Sequence, residues 1–511
     1  MAAVCLVGAA RADAFEPVHP AEITAPALRF SSVPTPEQVF EAVSDQAAVL
    51  ARAPYAGRPG TLPVSFRDLD YDGYRKLRPK QDAAVWGEAG NSFAVLPLPR
   101  GGLFNDPVRL WLVDSAEPTR ITDEAAFFDF VDFPQATQAE REQLGVSGWR
   151  AITHPGQAGV GYEAAIFQGG VYFRAVAKNL VYGASARALA IGTGSSAREE
   201  FPHFTDFWIF HPTANSETLT AIALMDTPSA AAAYRFDIKP GVGTAIAVEA
   251  NIHPRVELST FGVAPLSSMY QHGATDHAGA SDWRAEVHDS DGLSILTASG
   301  ERIWRPLINP AGLQISTFAA NSVRGFGLLQ RAREFSSYGD LEAKYELRPS
   351  VWIEPGGDWG EGEITLVEIP TPTEYNDNIV AFWRPARAWA PGEAHRIAYE
   401  LDWTAQGPAN HSIATVAATR AGAAPGAPGL RRFVIDFASD HHFAAAASAA
   451  DVWSTAGAIR NLQLSDGPDA GSRRLTFDLD PQSAAVAELH AALRDETSQL
   501  TETWLFRWTP E

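Results

Sequence analysis

The 511-residue sequence predicts an all-β protein: a large antiparallel β-sandwich followed by a smaller, immunoglobulin-like one. Three observations point there. Short alternating or β-branched segments recur from about residue 92 onward. They are punctuated by 41 Gly and 35 Pro, which suit the turns between short strands. Helical periodicity is confined to the first 80 residues and a few short connectors.

The chain opens with MAAVCLVGAARA (1–12), an apolar run closing on Ala10-Arg11-Ala12, the small-x-small pattern of a leader cleavage site. No basic start precedes it, so it reads as a truncated signal peptide. Cys5 is the only cysteine and falls within that leader, which excludes a disulfide framework and a Cys-based zinc site. A helix is expected over 35–53, with Pro36 near its start. Strands are expected at 92–98, 108–113, 170–177, 217–224, 244–252, 313–318 and 362–368. The segment RPARAWAPGEAH (384–395) is bracketed by Pro385 and Pro391 and disfavours helix and ladder alike. It places the large sandwich at 20–384, a linker at 385–394 and the second sandwich at 395–511. Strands at 395–403, 412–419, 431–437, 473–477 and 501–508 fit an immunoglobulin-like spacing without the Cys pair. Segment 486–493 reads as strand or helix.

Composition removes several function classes. With 40 Lys+Arg against 61 Asp+Glu, the net charge is −21 and nothing forms a basic stripe, which argues against a nucleic-acid partner. No run of about 18 apolar residues marks a membrane-spanning helix. The 14 Trp, 12 Tyr and 27 Phe are expected mostly in sandwich cores, with a few left to stack on sugars. Asp68-Leu69-Asp70-Tyr71-Asp72-Gly73 opens like a calcium loop, but its twelfth position is Pro79 where a bidentate Glu is needed. His441-His442 has no third ligand at metal spacing, and no cofactor or metal is expected.

Two Asp sites carry candidate chemistry. His288-Asp289-Ser290-Asp291-Gly292 places carboxylates in a tight turn, and Asn376-Asp377-Asn378 places one among amides before the β run 379–383. Asp and Asn also occupy turns simply because they bond their own backbone. A glycosidase, however, needs two carboxyls on opposite sides of the scissile bond, commonly far apart in sequence on loops above a sheet.

At these residues the chain resembles the periplasmic glucan biosynthesis protein G and D family. The resemblance rests on collinear blocks: VYFRAV (171–176), YGASARALA (182–190), EEFPHF (199–204), GVAPLSSM (262–269), HDSDGL (288–293), IWRPL (303–307), GFGLLQ (325–330), RPSVW (348–352), DNIV (377–380) and ETWL (502–505). It implies a galactose-mutarotase-like sandwich, then an immunoglobulin-like domain, in a periplasmic protein of osmoregulated glucan biosynthesis. It further implies an inverting endo-β-1,2-glucanase or transglycosylase, with Asp377 as general acid and Asp289 as general base. For inversion the carboxyls should stand about 6.5–9.5 Å apart, or farther if a relay carries the proton. Glu374 is the available like-charge neighbour for Asp377. Tyr345 matches a family tyrosine near the cleft, His288 belongs to the base motif, and Arg305 and Trp304 either line the cleft or serve as core. Implied partners are β-1,2-linked glucan and a membrane glucan synthase; monomer and homodimer both stay open. One departure stands out: AGAAPGAPGL (421–430) replaces a longer, Trp-bearing loop of the D-type proteins, removing a sugar platform. The alternatives are a non-catalytic glucan-binding protein and, on fold analogy alone, a mutarotase-like epimerase.

Overall fold

The computed structural model describes residues 28–57, 62–88, 90–154, 161–196, 198–213, 215–276, 282–408, 413–438, 449–467, 469, 471–496 and 498–510. The expected leader with Cys5, and the pair His441-His442, lie outside the described residues.

The expected N-terminal helix forms as Pro36–Ala51. The Thr35 hydroxyl accepts from the Gln38 N–H and the Gln38 side chain accepts from the Thr35 N–H, closing a capping box. Val39, Phe40, Val43 and Ala47 form its apolar stripe, which packs on strands Leu219–Asp226 and Ala230–Lys239. The latter strand begins with four alanines, good helix formers by propensity. Here Ala230 and Ala232 enter the main core while Ala231 and Ala233 lie under the helix, so small side chains on both faces let the layers approach. The calcium-like segment is a helix cap: Asp70 accepts from the Gly73 N–H at 2.8 Å and starts the short helix Tyr71–Arg75.

Among the described residues, two large sheets build the main body. One has ten strands and runs from Phe93–Pro99 through Tyr172–Ala175, Ser185–Arg187, Phe261–Ser268 and Ile379–Pro385 to Gln314–Ala319. The other has 14 strands, with Ala230–Lys239, Thr244–Pro254, His395–Thr404, Ser350–Pro355, Gly325–Leu329, Gly292–Leu296 and Arg302–Pro306 as its centre. They share a single core in which Trp149, Phe167, Phe173, Phe207 and Phe236 meet, Trp149 stacking on Phe167 with ring centroids 4.7 Å apart.

Strand His395–Thr404, expected to open the second sandwich, lies in the middle of the 14-stranded sheet. It pairs with Thr244–Pro254 on one side and Ser350–Pro355 on the other. Tyr399, Leu401 and Trp403 alternate into the main core, so burying them outweighs the break suggested by Pro385 and Pro391.

The second sandwich also shares that sheet. Thr503–Trp508 pairs in parallel with Arg302–Pro306, and Ala487–Arg494 and Ala449–Ser454 follow outward. Segment 486–493 is therefore strand. The facing layer has four strands in the order Thr415–Ala424, Ala427–Ala438, Arg473–Asp480 and Ala458–Asp466. Between the layers, Phe433, Phe437, Leu475, Phe477 and Trp504 pack with Trp304, Leu329 and Trp352 of the main body.

Trp504 is wholly buried at this junction. Trp504→Ala should cost about 3–5 kcal/mol, the range for a large aromatic removed from a core. Because its neighbours come from both sandwiches, a denaturant titration should show one transition at a lower midpoint. Loss of the second sandwich alone, in a separate early transition, would contradict that coupling.

Candidate active site

Asp289 and Asp377 are far apart in the sequence, yet the charge of Asp377 acts on the Asp289 carboxyl. Asp377 precedes strand Ile379–Pro385. The next residue, Asn378, is buried and anchors it: its Oδ1 accepts from the Tyr270 N–H at 2.8 Å, and its Nδ2 donates to the carbonyls of Tyr270 and Ile369, each at 2.9 Å. A side-chain amide thus stands in for a peptide unit where no strand continues. Asp289 follows the two-residue strand Val287–His288, and its N–H donates to the Met269 carbonyl at 2.8 Å, one residue from Tyr270. Both acids therefore hang from segment 269–270.

Their surroundings differ. The Asp289 side chain is 5% exposed and accepts from the Arg348 guanidinium, whereas that of Asp377 is 25% exposed, with Arg174 Nη2 at 3.7 Å. Arg174 is steadied by donating to Ser185 Oγ at 2.6 Å. Burial pushes the Asp289 carboxyl up; the guanidiniums of Arg348 and Arg174 oppose this, and the Asp377 charge adds to it. The two carboxyls are thus within electrostatic reach of each other. Arg348 also lies over the Tyr345 ring, 4.2 Å from its centroid, in space that Gly183 leaves open: a Cβ there would come within 2.9 Å of the Arg348 Cβ.

The other expected residues divide into two groups. Tyr345 is buried beside Arg348, and its hydroxyl donates to Glu374. Glu374 also accepts from Arg284 at 2.6 Å, and Arg284 in turn binds Asp282 at 2.7 Å and Asp340 at 3.0 Å. Glu374 is therefore committed to Arg284 and Tyr345, and the like charge that acts on Asp289 is that of Asp377. His288 is buried behind Asp289, stacked on Tyr270 with centroids 5.1 Å apart. Arg305 and Trp304 serve the core. Arg305 pairs with buried Glu368 at 3.1 Å beneath the Phe506 ring, and Trp304 lies under the Arg331 guanidinium at the junction with the second sandwich. Adjacent in sequence, they leave the strand on opposite faces, and neither bonds Asp289 or Asp377.

Sequence reasoning did not single out Arg348, Arg174, Arg284 or Asn378. Three of the four stand inside the matching blocks (VYFRAV, RPSVW and DNIV), where an Arg or Asn beside strand residues was the available signal. Two exposed aromatics flank the region: Trp283, next to Arg284, is 74% exposed, and Tyr375, next to Glu374, is 85% exposed. The Arg284–Glu374 ion pair ties their two segments together. The expected short loop is a hairpin tip at Pro425-Gly426 between Thr415–Ala424 and Ala427–Ala438, carrying no aromatic residue there. A surface hollow of about 640 Å³ is lined by Trp359, Trp383 and Trp389 and by neither Asp.

An acid whose carboxyl is pushed up by folding ionises first in the unfolded chain. Its contribution to stability is therefore largest at low pH and declines as pH rises from the unfolded value of 3.8 toward the raised folded value. The stability of wild type relative to Asp289→Asn should fall as the pH rises above the unfolded value of 3.8, measured by parallel urea titrations. A flat or rising difference would mean the carboxyl is not held up.

Comparisons place the chain among known proteins. A family profile described as "Periplasmic glucan biosynthesis protein, MdoG" matches residues 39–508. Glucans biosynthesis protein G of Vibrio cholerae serotype O1 is 43% identical over 462 residues, covering 90% of this chain and 85% of the relative. Glucans biosynthesis protein G 1 of Shewanella oneidensis is 39% identical over 525 residues, covering 99% and 96%. A solved galactose mutarotase related enzyme from Lactobacillus acidophilus overlaps 52% of this chain and 97% of its own, at 9% identity and a TM-score of 0.20, too slight an overlap to define the fold.

Proposed function

The chain belongs to the periplasmic glucan biosynthesis protein family, and from that premise we propose that it acts on β-1,2-linked glucan as an inverting endo-glucanase or transglycosylase in the periplasm. Asp377 protonates the leaving glycosidic oxygen, and Asp289 draws the proton from the attacking water or sugar hydroxyl.

The observation that carries this reading is the unequal exposure of two coupled carboxyls. A general acid must touch the glycosidic oxygen, so it belongs on the open side, where Asp377 stands. A general base in an inverting enzyme acts through a water and can lie deeper, as Asp289 does. Arg348 offsets part of the burial penalty on the ionised base, and its place over Tyr345 fixes the side chain that does so. Trp283 and Tyr375 offer exposed ring faces on the two segments joined by the Arg284–Glu374 pair, in place of the platform missing from the hairpin at 425–426.

The test is incubation with linear β-1,2-glucan, following product length and anomeric form. Asp377→Asn and Asp289→Asn should each lower kcat by about 10²–10⁴-fold, the usual value of a positioned acid or base, while glucan binding persists. Retention of wild-type turnover by either variant would remove that residue from its role. Trp283→Ala and Tyr375→Ala should raise KM more than they lower kcat, since a stacking platform holds ground state and transition state alike.

The aromatic-free hairpin tip favours a second reading, a glucan-binding protein that presents chains made by a membrane synthase without cutting them. Wild type that binds the polymer and leaves its length unchanged would establish that reading instead.

A further inference from the structure

Glu286, His288 and Asp291 surround a point that the chemistry above does not use. One ligand atom from each, the His288 Nε2 and a carboxylate oxygen from either acid, lie within 4.8 Å of one another. Ligand bonds of about 2.0–2.5 Å allow donors around a single ion to stand up to about 5 Å apart, so one cation reaches all three.

The imidazole is set for such a role by Gln330, which lies outside the trio. The Gln330 Nε2 donates to two carbonyls, those of His288 at 3.0 Å and Tyr345 at 3.2 Å. That fixes the amide orientation and points its Oε1, an acceptor only, at His288 Nδ1, 3.0 Å away. Nδ1 must therefore carry a hydrogen, so Nε2 is the nitrogen that can take a cation when it gives up its own proton. Nε2 faces Glu286 Oε2 at 2.9 Å and Asp291 Oδ1 at 3.8 Å. Either a proton on Nε2, shared with Glu286, or a cation bound among the three atoms meets the charge of the two acids. A ring N–H given to a side-chain carbonyl is also the usual support behind a metal-bound imidazole.

The acids are arranged accordingly. Asp291 Oδ2 is occupied by the N–H groups of Arg331 and Ala332, which leaves Oδ1 to face inward. The neighbouring guanidinium of Arg331 is committed to Glu502 and the Val416 carbonyl. A hollow of about 40 Å³ adjoins the trio, bounded by Tyr270, Thr275 and the Val416–Thr419 strand of the second sandwich. It has room for a water to complete a coordination sphere.

We propose that Glu286, His288 and Asp291 form a binding site for one divalent first-row ion of the Zn²⁺ or Mn²⁺ kind. One imidazole with two carboxylates suits those ions better than Mg²⁺ or Ca²⁺, which prefer oxygen alone. The ion would clamp the turn 286–291, and so hold Asp289 in place. That positioning role rests on the proposed function; the metal site itself does not.

The experiment uses the full chain, stripped with chelator, dialysed, and titrated with ZnCl₂ and separately with MnCl₂ at neutral pH. Metal analysis should find one ion per chain and calorimetry one saturable site, with Tm rising on binding. Co²⁺ should give the visible absorption bands of a site containing imidazole. Glu286→Gln, at a partly exposed position that tolerates the change, and His288→Gln should each lose stoichiometric binding. Gln330→Leu should weaken binding about 10–100-fold, as loss of an outer-shell partner does. Failure of wild type to take up either ion at submillimolar concentration would overturn the proposal and leave the trio as an ion pair built on an imidazolium. Undiminished binding by Glu286→Gln would place the ion elsewhere and overturn it too. Because these readouts do not use glucan, a failed cleavage assay leaves the metal result standing.

Discussion

The candidate site depends on keeping the Asp289 carboxyl in a buried place. An isolated carboxylate moved into an apolar interior would cost tens of kcal/mol in the continuum limit, and real chains avoid this by pairing or protonation. Arg348 supplies the pairing, and its own position is then constrained: its guanidinium also donates to the Ala343 carbonyl, its body covers the Tyr345 ring, and Gly183 is the neighbour that leaves room for it. Tyr345 in turn reaches Glu374, and Glu374 reaches Arg284. A single buried charge thus organises residues spread from 183 to 374, and removing one partner of such a pair commonly costs about 3–5 kcal/mol.

Gln330 connects this network to the layer behind it. The same side chain holds the His288 ring and carbonyl and the Tyr345 carbonyl, so the segment leading to Asp289 and the segment leading to Arg348 share one support. One residue further along, Arg331 turns away toward Glu502 and Trp304 and fastens the second sandwich. The second sandwich is therefore joined to the main body by shared sheet, shared core and a buried ion pair. Its Val416–Thr419 strand lies close behind the His288 turn. A rigid junction here fits a site whose deeper carboxyl stands only a few residues from the contact.

The sequence is most legible where local pattern and tertiary environment agree. Residues 36–51 carry their own cap and apolar stripe, and strands such as Gly362–Glu368 coincide with the alternation that announces them. It is least legible where burial overrides propensity, as in the four alanines that open Ala230–Lys239, or where a proline-rich segment carries the chain from the ten-stranded sheet across to His395–Thr404 in the other. For the site, Asp289 and Asp377 were visible as unusual turns and as family blocks. Their Arg partners were not, because an Arg within a strand pattern shows nothing of which acid it will face.

By itself, then, the sequence determined the all-β class, two sandwiches, an acidic chain with a single cysteine, the family, and the two carboxyl-bearing turns. Those properties reside in composition, short-range periodicity and motif order. Only the tertiary structure decided that strand His395–Thr404 completes the first sandwich, that Arg305 and Trp304 belong to the core, that Glu374 is spent on Arg284, and that Glu286, His288 and Asp291 converge on one point. The reason is physical. Which charges meet is set by long-range sheet register and by the cost of leaving a buried polar group unpaired, and neither is written in the spacing of neighbouring residues.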